Sequence, residues 1–165
     1  MNLAVPANHI LENAVKLVEA FRKAKLPIVV VNVNPTGAVS SKVRKVINVS
    51  LPPDFNDDWF KIHPQIKTQP DDIFITKQTW NAFYRTVLDE ELKKRNITQI
   101  VLAGVATSIG IEGTARAANE RGYNIAFAQD AMTDRIAEAH ENSLKYIFPR
   151  IGEIGNTIEI IEKLG

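Results

Sequence analysis

The stretch from Ile100 to Ala118 constrains the fold of this chain more than any other. It opens with a short apolar run at residues 100–103, typical of a strand buried on both faces of a parallel sheet. A tight turn at residues 104–107 comes next, and then a helix that we expect to end at about Arg121. A strand that leads directly into a helix places several backbone N–H groups without helical partners at the carboxyl edge of a sheet. Such an edge attracts anions and developing negative charge.

The predicted helix is small along one side. Gly110, Gly113, Ala117 and Ala118 recur at spacings of three and four residues, so they lie near one face. Small residues allow a helix to pack closely against a sheet for steric reasons alone. They also leave room for a ligand, and the pattern by itself does not decide between these two interpretations.

Three further apolar runs predict strands, at residues 28–33, 73–76 and 125–128. Helical periodicity predicts helices over residues 8–25 and 85–95. This alternation of helices and buried strands predicts an α/β fold, a three-layer α/β/α arrangement with a mainly parallel, Rossmann-like sheet. Antiparallel pairing among these strands would contradict the prediction.

The ends of the predicted helices carry their usual signals. Asn8 is predicted to cap the first helix and Asn156 the last. Asn96 and Gly122 are predicted to terminate the two helices that precede the strands near 100 and 125.

Composition narrows the class of protein. The chain has 165 residues, 45% hydrophobic and 24% charged, with a formal net charge of +1. These values predict one globular domain over residues 1–165 and give no reason to expect nucleic acid or a membrane surface as a partner. The chain contains no cysteine, so disulfides and thiol chemistry are excluded. A cytoplasmic location is the expectation.

The turn at residues 104–116, Gly-Val-Ala-Thr-Ser-Ile-Gly-Ile-Glu-Gly-Thr-Ala-Arg, resembles the nucleophile turn of the isochorismatase-like hydrolases. The resemblance extends from Leu3 to Leu164. In the cysteine-dependent members a cysteine stands where this chain has Gly110. True isochorismatases tend to carry glycine there and cleave a vinyl ether rather than an amide. The resemblance therefore implies a hydrolase of a small metabolite that works without a cysteine nucleophile.

The resemblance also implies a catalytic lysine. Residues 75–83, Ile-Thr-Lys-Gln-Thr-Trp-Asn-Ala-Phe, are similar to the family phrase in which the lysine is catalytic, and Lys77 matches that lysine. Lys77 ends a predicted strand, so we expect its ammonium at the carboxyl edge of the sheet, beside Gly110. Trp80 is predicted to contact substrate, whereas Phe83 is expected in the core.

Further site residues are implied by the family turn. The backbone N–H groups of Ala106 and Gly110 are expected to bind an oxyanion or carboxylate, and Val105 and Thr107 to contact substrate. The family often has a cis peptide bond at the position of Val105–Ala106, which aims the Ala106 N–H inward.

No metal or other cofactor is expected. Metal-dependent relatives have an aspartate and histidines after the second strand of the fold, where this chain has Val-Asn-Pro-Thr-Gly at residues 33–37. The three histidines His9, His63 and His140 are scattered along the chain, and His63 is expected on the surface.

One part of the family pattern is absent. Family members carry an acidic residue at the end of a first strand, and Leu3-Ala-Val-Pro6 resembles the family segment that comes directly after that strand. In the resembled strand order, 3-2-1-4-5-6, the strands at 28–33 and 100–103 would then face each other across an empty slot. Either the start of the numbered sequence is misplaced, or the protein is a non-catalytic small-molecule binder or subunit, expected as a homo-oligomer. In both cases, negligible hydrolysis is expected for residues 1–165, with Asp130 the first internal candidate for the acid.

Overall fold

The computed structural model describes residues 3–34 and 61–164, and its strands form two parallel sheets. Strands β1 (Val29–Val33) and β2 (Ile73–Lys77) pair in one sheet. Strands β3 (Gln99–Val105), β4 (Asn124–Thr133) and β5 (Glu153–Gly155) form the other, in the order β3-β4-β5. All these pairings are parallel, as the apolar runs predicted.

Helices flank both sheets. The described helices are α1 (Ala7–Lys23), α2 (Leu88–Lys94), α3 (Glu112–Glu120), α4 (Ala137–Asn142) and α5 (Thr157–Glu162). A π-helical turn leads into α3, and a π turn and a 3₁₀ turn come after α4. Within the described residues, no helix is both long and apolar enough to cross a bilayer.

The core divides into two clusters, one on each face of the β3-β4-β5 sheet. The larger contains Phe127 and Phe148, which are fully buried with ring centroids 3.9 Å apart. On the opposite face, Leu17 of α1 and Ile160 of α5 pack against β4. Side chains of β3 alternate between the two clusters, as the pleat of a strand requires. The result is the expected α/β fold with helices on both faces.

Most helix ends match the sequence signals. Asn96 and Gly122 have φ angles of 54° and 84°, in the left-handed conformation that ends a helix. Asn156 and Glu159 form a reciprocal capping box at the start of α5. The prediction for Asn8 was wrong: α1 begins at Ala7, and Pro6 occupies the N-cap position. A proline just before the first turn suits a helix start because its fixed φ is already helical.

Strand β4 is longer than the four residues predicted. Its register with β3 shifts between Leu102 and Gly104, where the partner moves from Phe127 to Met132. The extra residues form an irregularity that includes Asp130. The Asp130 carboxylate accepts hydrogen bonds from the backbone N–H and the hydroxyl of Thr157, both at 2.8 Å. The backbone carbonyl and the carboxylate of Asp130 also accept hydrogen bonds from the side-chain amide of Asn13. Asp130, the first internal candidate for the acid, thus stabilises the fold by hydrogen bonds.

The two sheets do not join in the described part of the chain, since β1 pairs only with β2 and β3 only with β4. They face each other across a cavity of about 230 Å³. Both facing strands were predicted to be covered on both faces. Instead, residues 100–103 are only half-buried, and Val31 and Val33 are 39% and 43% exposed. They retain the composition of inner strands but lie at the edges of their sheets.

Candidate active site

The candidate site forms where the ends of β2 and β3 meet the turn that leads into α3. Lys77 is the last residue of β2, and Val105 the last of β3. The Lys77 Nζ lies 2.9 Å from the point where a Cβ on Gly110 would stand, and the Val105 carbonyl oxygen lies 3.8 Å from that point. The structure therefore brings Lys77 and Gly110 together at the carboxyl edge, where the sequence predicted them.

The Lys77 ammonium is partly withdrawn from water. It donates a 2.5 Å hydrogen bond to the carbonyl oxygen of Trp80. Burial lowers the pKa of Lys77 below its ordinary value, because desolvation disfavours the charged form. A neutral carbonyl satisfies one donor of an ammonium but does not neutralise its charge. The position therefore favours a negatively charged partner.

The turn after β3 has an unusual hydrogen-bond pattern. The Val105–Ala106 peptide bond is cis, as the family resemblance implied. The Ala106 carbonyl oxygen accepts hydrogen bonds from the N–H groups of Ile109 and Ile111, at 3.2 and 3.1 Å. These two donors flank Gly110, which is not bonded to Ala106. This gives the π-helical geometry of Thr107–Ile111, a local irregularity that recurs at functional sites.

Asp134 binds Ser108 at the start of this turn, a contact that the local sequence pattern does not predict. Its carboxylate accepts hydrogen bonds from the Ser108 backbone N–H at 2.8 Å and from the Ser108 hydroxyl at 2.7 Å. Burial alone would raise the pKa of Asp134, but these bonds and those from the Arg135 and Ile136 backbone lower it overall. Asp134 is therefore an ionised anchor for the first turn of the helix, a position that favours negative charge.

A second buried contact fixes the same turn. The Thr107 hydroxyl lies 2.8 Å from Nδ1 of His140, and both side chains are buried. Beside them, the Ser143 hydroxyl donates to the Glu112 carboxylate at 2.7 Å. The Thr107 side chain is therefore part of the packing beneath the turn, and the whole residue is buried.

We expect His140 to make folding sensitive to mild acid. Burial lowers the pKa of His140, an effect that Asp134 and Glu141 partly offset. The unfolded chain therefore takes up this proton at a higher pH than the folded chain does, so stability falls as the pH drops through and below about 6.5. The change stays below about 1.4 kcal/mol per pH unit, the limit for one proton. Thermal melting from pH 7.5 to 5 should show a smaller loss in His140→Gln than in the parent.

The exposed histidine His63 provides the control, since His63→Gln should keep the parental pH dependence. Equal slopes in the parent and in His140→Gln would show that His140 does not cause the effect.

The remaining predicted residues lie at the rim or in the core. Trp80 is 53% exposed, and its Cβ lies 3.2 Å from the point where a Cβ on Gly113 would stand. Gly113 therefore leaves room for Trp80. At least this one of the small residues along the predicted helix serves close packing. Val105 is 62% exposed, beside the turn. Phe83 is buried and stacks on Tyr123, in the core as expected.

The cavity connects this site to the space between the sheets. Its described lining includes Lys77, Val105 and Gly110 at one end and residues of β1 and β3 along its length. In the described residues, no three histidine, aspartate or glutamate side chains are grouped to hold a metal ion. Residues 33–37 stand where metal-dependent relatives carry their aspartate and histidines, and most of this segment lies outside the described residues.

Comparison with known proteins gives one consistent result. Residues 2–159 match the family model described as the isochorismatase domain. The isochorismatase family protein YwoC of Bacillus subtilis is 38% identical over 161 residues, covering 96% of this chain and 85% of that protein. YecD of Escherichia coli O157:H7, of the same family, is 34% identical over 159 residues, with the same coverage. The structure of an isochorismatase family protein from Burkholderia thailandensis superimposes with a TM-score of 0.90, at 36% identity, covering 99% of this chain and 87% of that one.

Proposed function

The chain belongs to the isochorismatase family, and on that premise we propose that it binds a small anionic metabolite between Lys77 and Gly110. The chemistry is hydrolysis of a vinyl ether or a related bond without a cysteine nucleophile. One observation carries this proposal. The Lys77 ammonium lies within 2.9 Å of the space that a side chain at position 110 would enter. The site therefore combines a half-buried cation with a helix N-terminus, and it contains no thiol.

Each residue has a distinct role in this proposal. Lys77 supplies positive charge in a partly dehydrated position, where an ion pair is stronger than in water. The backbone N–H groups of Ala106 and Gly110 bind an oxyanion or carboxylate of the ligand. Val105 and Trp80 form the exposed rim. Thr107 positions the turn through its bond to His140.

Hydrolysis of a vinyl ether also needs an acid. The reaction begins with protonation of the vinyl carbon, after which water attacks the resulting cation. Among the described carboxylates, Asp134 accepts two bonds from Ser108, and Asp130 accepts bonds from Thr157 and Asn13. Both are committed to holding the fold. We therefore propose that the described residues bind the metabolite but do not themselves supply the acid that hydrolysis needs beside Lys77.

A non-catalytic small-molecule-binding protein or subunit is the second candidate. It is favoured by the same engagement of Asp130 and Asp134. The two candidates differ in whether an added carboxylate beside Lys77 restores hydrolysis. The homo-oligomeric state, the cytoplasmic location and the description of residues 1–165 as a single domain stay predictions.

Substitutions at Gly110 test the site directly. A Cβ at this position meets the mobile end of Lys77 rather than the backbone, so Gly110→Cys should fold with little change in melting temperature. In Gly110→Leu the larger side chain fills the space beside the ammonium. We expect Gly110→Leu to bind isochorismate at least about tenfold more weakly than the parent, equivalent to about 1.4 kcal/mol. Isothermal titration calorimetry measures the affinity, and the same samples are assayed for isochorismate consumption.

Equal affinity of the parent and Gly110→Leu would refute the location of the site. Turnover by the parent at about 1 s⁻¹ or faster, a rate usual for enzymes, would show that the chain supplies its own acid. That result would contradict the proposed need for an added carboxylate and leave the location of the site intact.

A further inference from the structure

A second, smaller cavity lies at the carboxyl ends of β1 and β2. Its volume is about 200 Å³, and the described residues that line it all have polar side chains: Asn34, Thr76, Gln78, Thr79, Tyr84 and Arg85. None of these six residues lines the cavity between the two sheets. The carboxyl edge of a parallel sheet is the usual place for a ligand in α/β proteins.

The lining of this cavity offers hydrogen-bond donors and one full charge, which is positive. Arg85 supplies the guanidinium, and the other five side chains contain an amide or a hydroxyl group. In residues 3–34 and 61–164, no ion pair involves Arg85. Its guanidinium carbon lies 5.3 Å from the centre of the Tyr84 ring, which supports the cation. The cavity therefore favours an anionic group.

The backbone at Arg85 is a separate reason to expect a function at this position. Lys25, Arg85 and Asn96 have φ angles of 56°, 55° and 54°, in the left-handed region. Lys25 and Asn96 come directly after the caps of α1 and α2, where a left-handed residue ends a helix. No described helix ends before Arg85, which lies between β2 and α2. Such strain in a residue other than glycine is frequent at ligand sites.

Hydrogen bonds on both sides of Arg85 hold the segment in place. The Ala82 N–H donates to the Thr114 hydroxyl of α3 at 3.1 Å. The Thr86 hydroxyl donates to the Ala82 carbonyl oxygen and accepts from the Leu88 N–H. The backbone that carries Arg85 is thus fixed before any ligand arrives, which reduces the entropy lost on binding.

The shape of the cavity favours a phosphate group over a carboxylate. Donors surround it from three directions, namely the end of β1, the end of β2 and the turn at residues 84–85. A carboxylate presents two oxygens in one plane, whereas a phosphate monoester presents three acceptor oxygens arranged as part of a tetrahedron. Cavities that enclose a drug-sized ligand have volumes of about 300–1,000 Å³. This smaller one fits a single headgroup.

We propose that this cavity binds the phosphate group of a small phosphorylated metabolite, with the Arg85 guanidinium as the cation that pairs with it. The hydroxyls of Thr79 and Tyr84 and the amide of Gln78 donate to the phosphate oxygens. The site is distinct from the one between Lys77 and Gly110. The inference is independent of the proposed hydrolysis, because it concerns binding at residues that have no part in that reaction.

The test measures the binding of inorganic phosphate and of glycerol 3-phosphate by isothermal titration calorimetry. Arg85→Gly should weaken the binding of both at least about tenfold, since a charged hydrogen-bond partner is lost. The same substitution should leave the melting temperature equal to or higher than that of the parent, because glycine adopts the left-handed conformation without strain. Affinity and stability thus respond differently to one substitution.

Two variants and two ligands provide the controls. Lys25→Gly also replaces an exposed cation in the left-handed conformation, and it should keep the parental affinity for phosphate. Lys77→Met should keep it as well, because the proposed site does not use the Lys77 ammonium. Glycerol, which has no phosphate, should not bind, and malonate should bind more weakly than phosphate.

Four results would overturn the proposal. The parent shows no saturable binding of phosphate up to about 10 mM, Arg85→Gly binds phosphate as tightly as the parent, or malonate binds as tightly as phosphate. In the fourth, Lys77→Met loses phosphate binding, which would place the anion beside Lys77 instead. The measurements on the parent and on Lys77→Met do not depend on how Arg85→Gly folds.

Discussion

Gly152→Ala should destabilise the protein by about 3 kcal/mol, the upper end of the usual range for overpacking. A Cβ at position 152 would lie 2.5 Å from the Ile125 carbonyl oxygen and 2.8 Å from the Phe127 ring. The closest atom belongs to the backbone of β4, the central strand of its sheet. Neither this strand nor the segment that carries position 152 can therefore move without loss of other contacts. Since the free energy of unfolding of a domain is about 5–15 kcal/mol, this substitution removes a large fraction of the protein's stability.

Gly155→Ala is the matched control, three residues further along the chain. A Cβ there would meet only side chains of α5, with the Glu159 carboxylate nearest at 3.4 Å. We expect its stability to stay within about 0.5 kcal/mol of the parent. By thermal melting, Gly152→Ala should lose about 6–12 °C and Gly155→Ala almost nothing. Similar melting temperatures for the two variants would show that the 148–155 segment adjusts without strain.

Lys77→Met should lower the affinity for isochorismate by about 100-fold, a typical loss when one partner of a desolvated charge pair is removed. Methionine keeps most of the apolar length of lysine and removes the charge. Because burial lowers the pKa of Lys77, the parent should also lose affinity at a lower pH than an exposed lysine would allow. Binding is strongest below the pKa of Lys77 and falls as the pH rises through it.

Lys145→Met provides the control, since Lys145 is exposed on the segment after α4. Its affinity should equal that of the parent at every pH tested by calorimetry. If Lys77→Met binds as tightly as the parent, the ligand does not contact the ammonium and the proposed site is wrong.

The sequence predicted those features that depend on local pattern. β-branched apolar runs placed β1, β2 and β3 within one or two residues, and Asn96 and Gly122 ended their helices because each takes a left-handed conformation. The strand end at Lys77 was sufficient to place the ammonium near Gly110, because carboxyl ends of parallel strands share one edge.

Features that depend on distant contacts were not predictable in this way. Asp134 is 26 residues from Ser108, and His140 is 33 residues from Thr107. Nothing in the local pattern distinguishes these side chains from an ordinary cap and a surface histidine. The π-helical turn depends on which donors reach the Ala106 carbonyl, a matter of small backbone rotations that residue types do not encode.

The separation of the two sheets falls between these cases. It was predicted because the numbered sequence shows no match to the family's first strand, which ends in an acidic residue, and not from any residue in the two strands themselves. In the structure, β1 and β3 have the apolar composition of inner strands, but they lie at sheet edges and are partly exposed. Composition alone would place both strands in the centre of one sheet.

The position of Asp130 has a consequence for how this family member can change over time. Its carboxylate bonds to Asn13 on α1 and to Thr157 at the start of α5, so one residue serves two helices far apart in the chain. Substitutions at these three positions should be non-additive, with coupling energies of about 0.5–3 kcal/mol. After Asp130→Ala, loss of Asn13 or Thr157 costs less than in the parent. We therefore expect positions 13 and 157 to be energetically coupled through Asp130, so that a substitution tolerated at either of them in an Asp130 variant should destabilise the parent more.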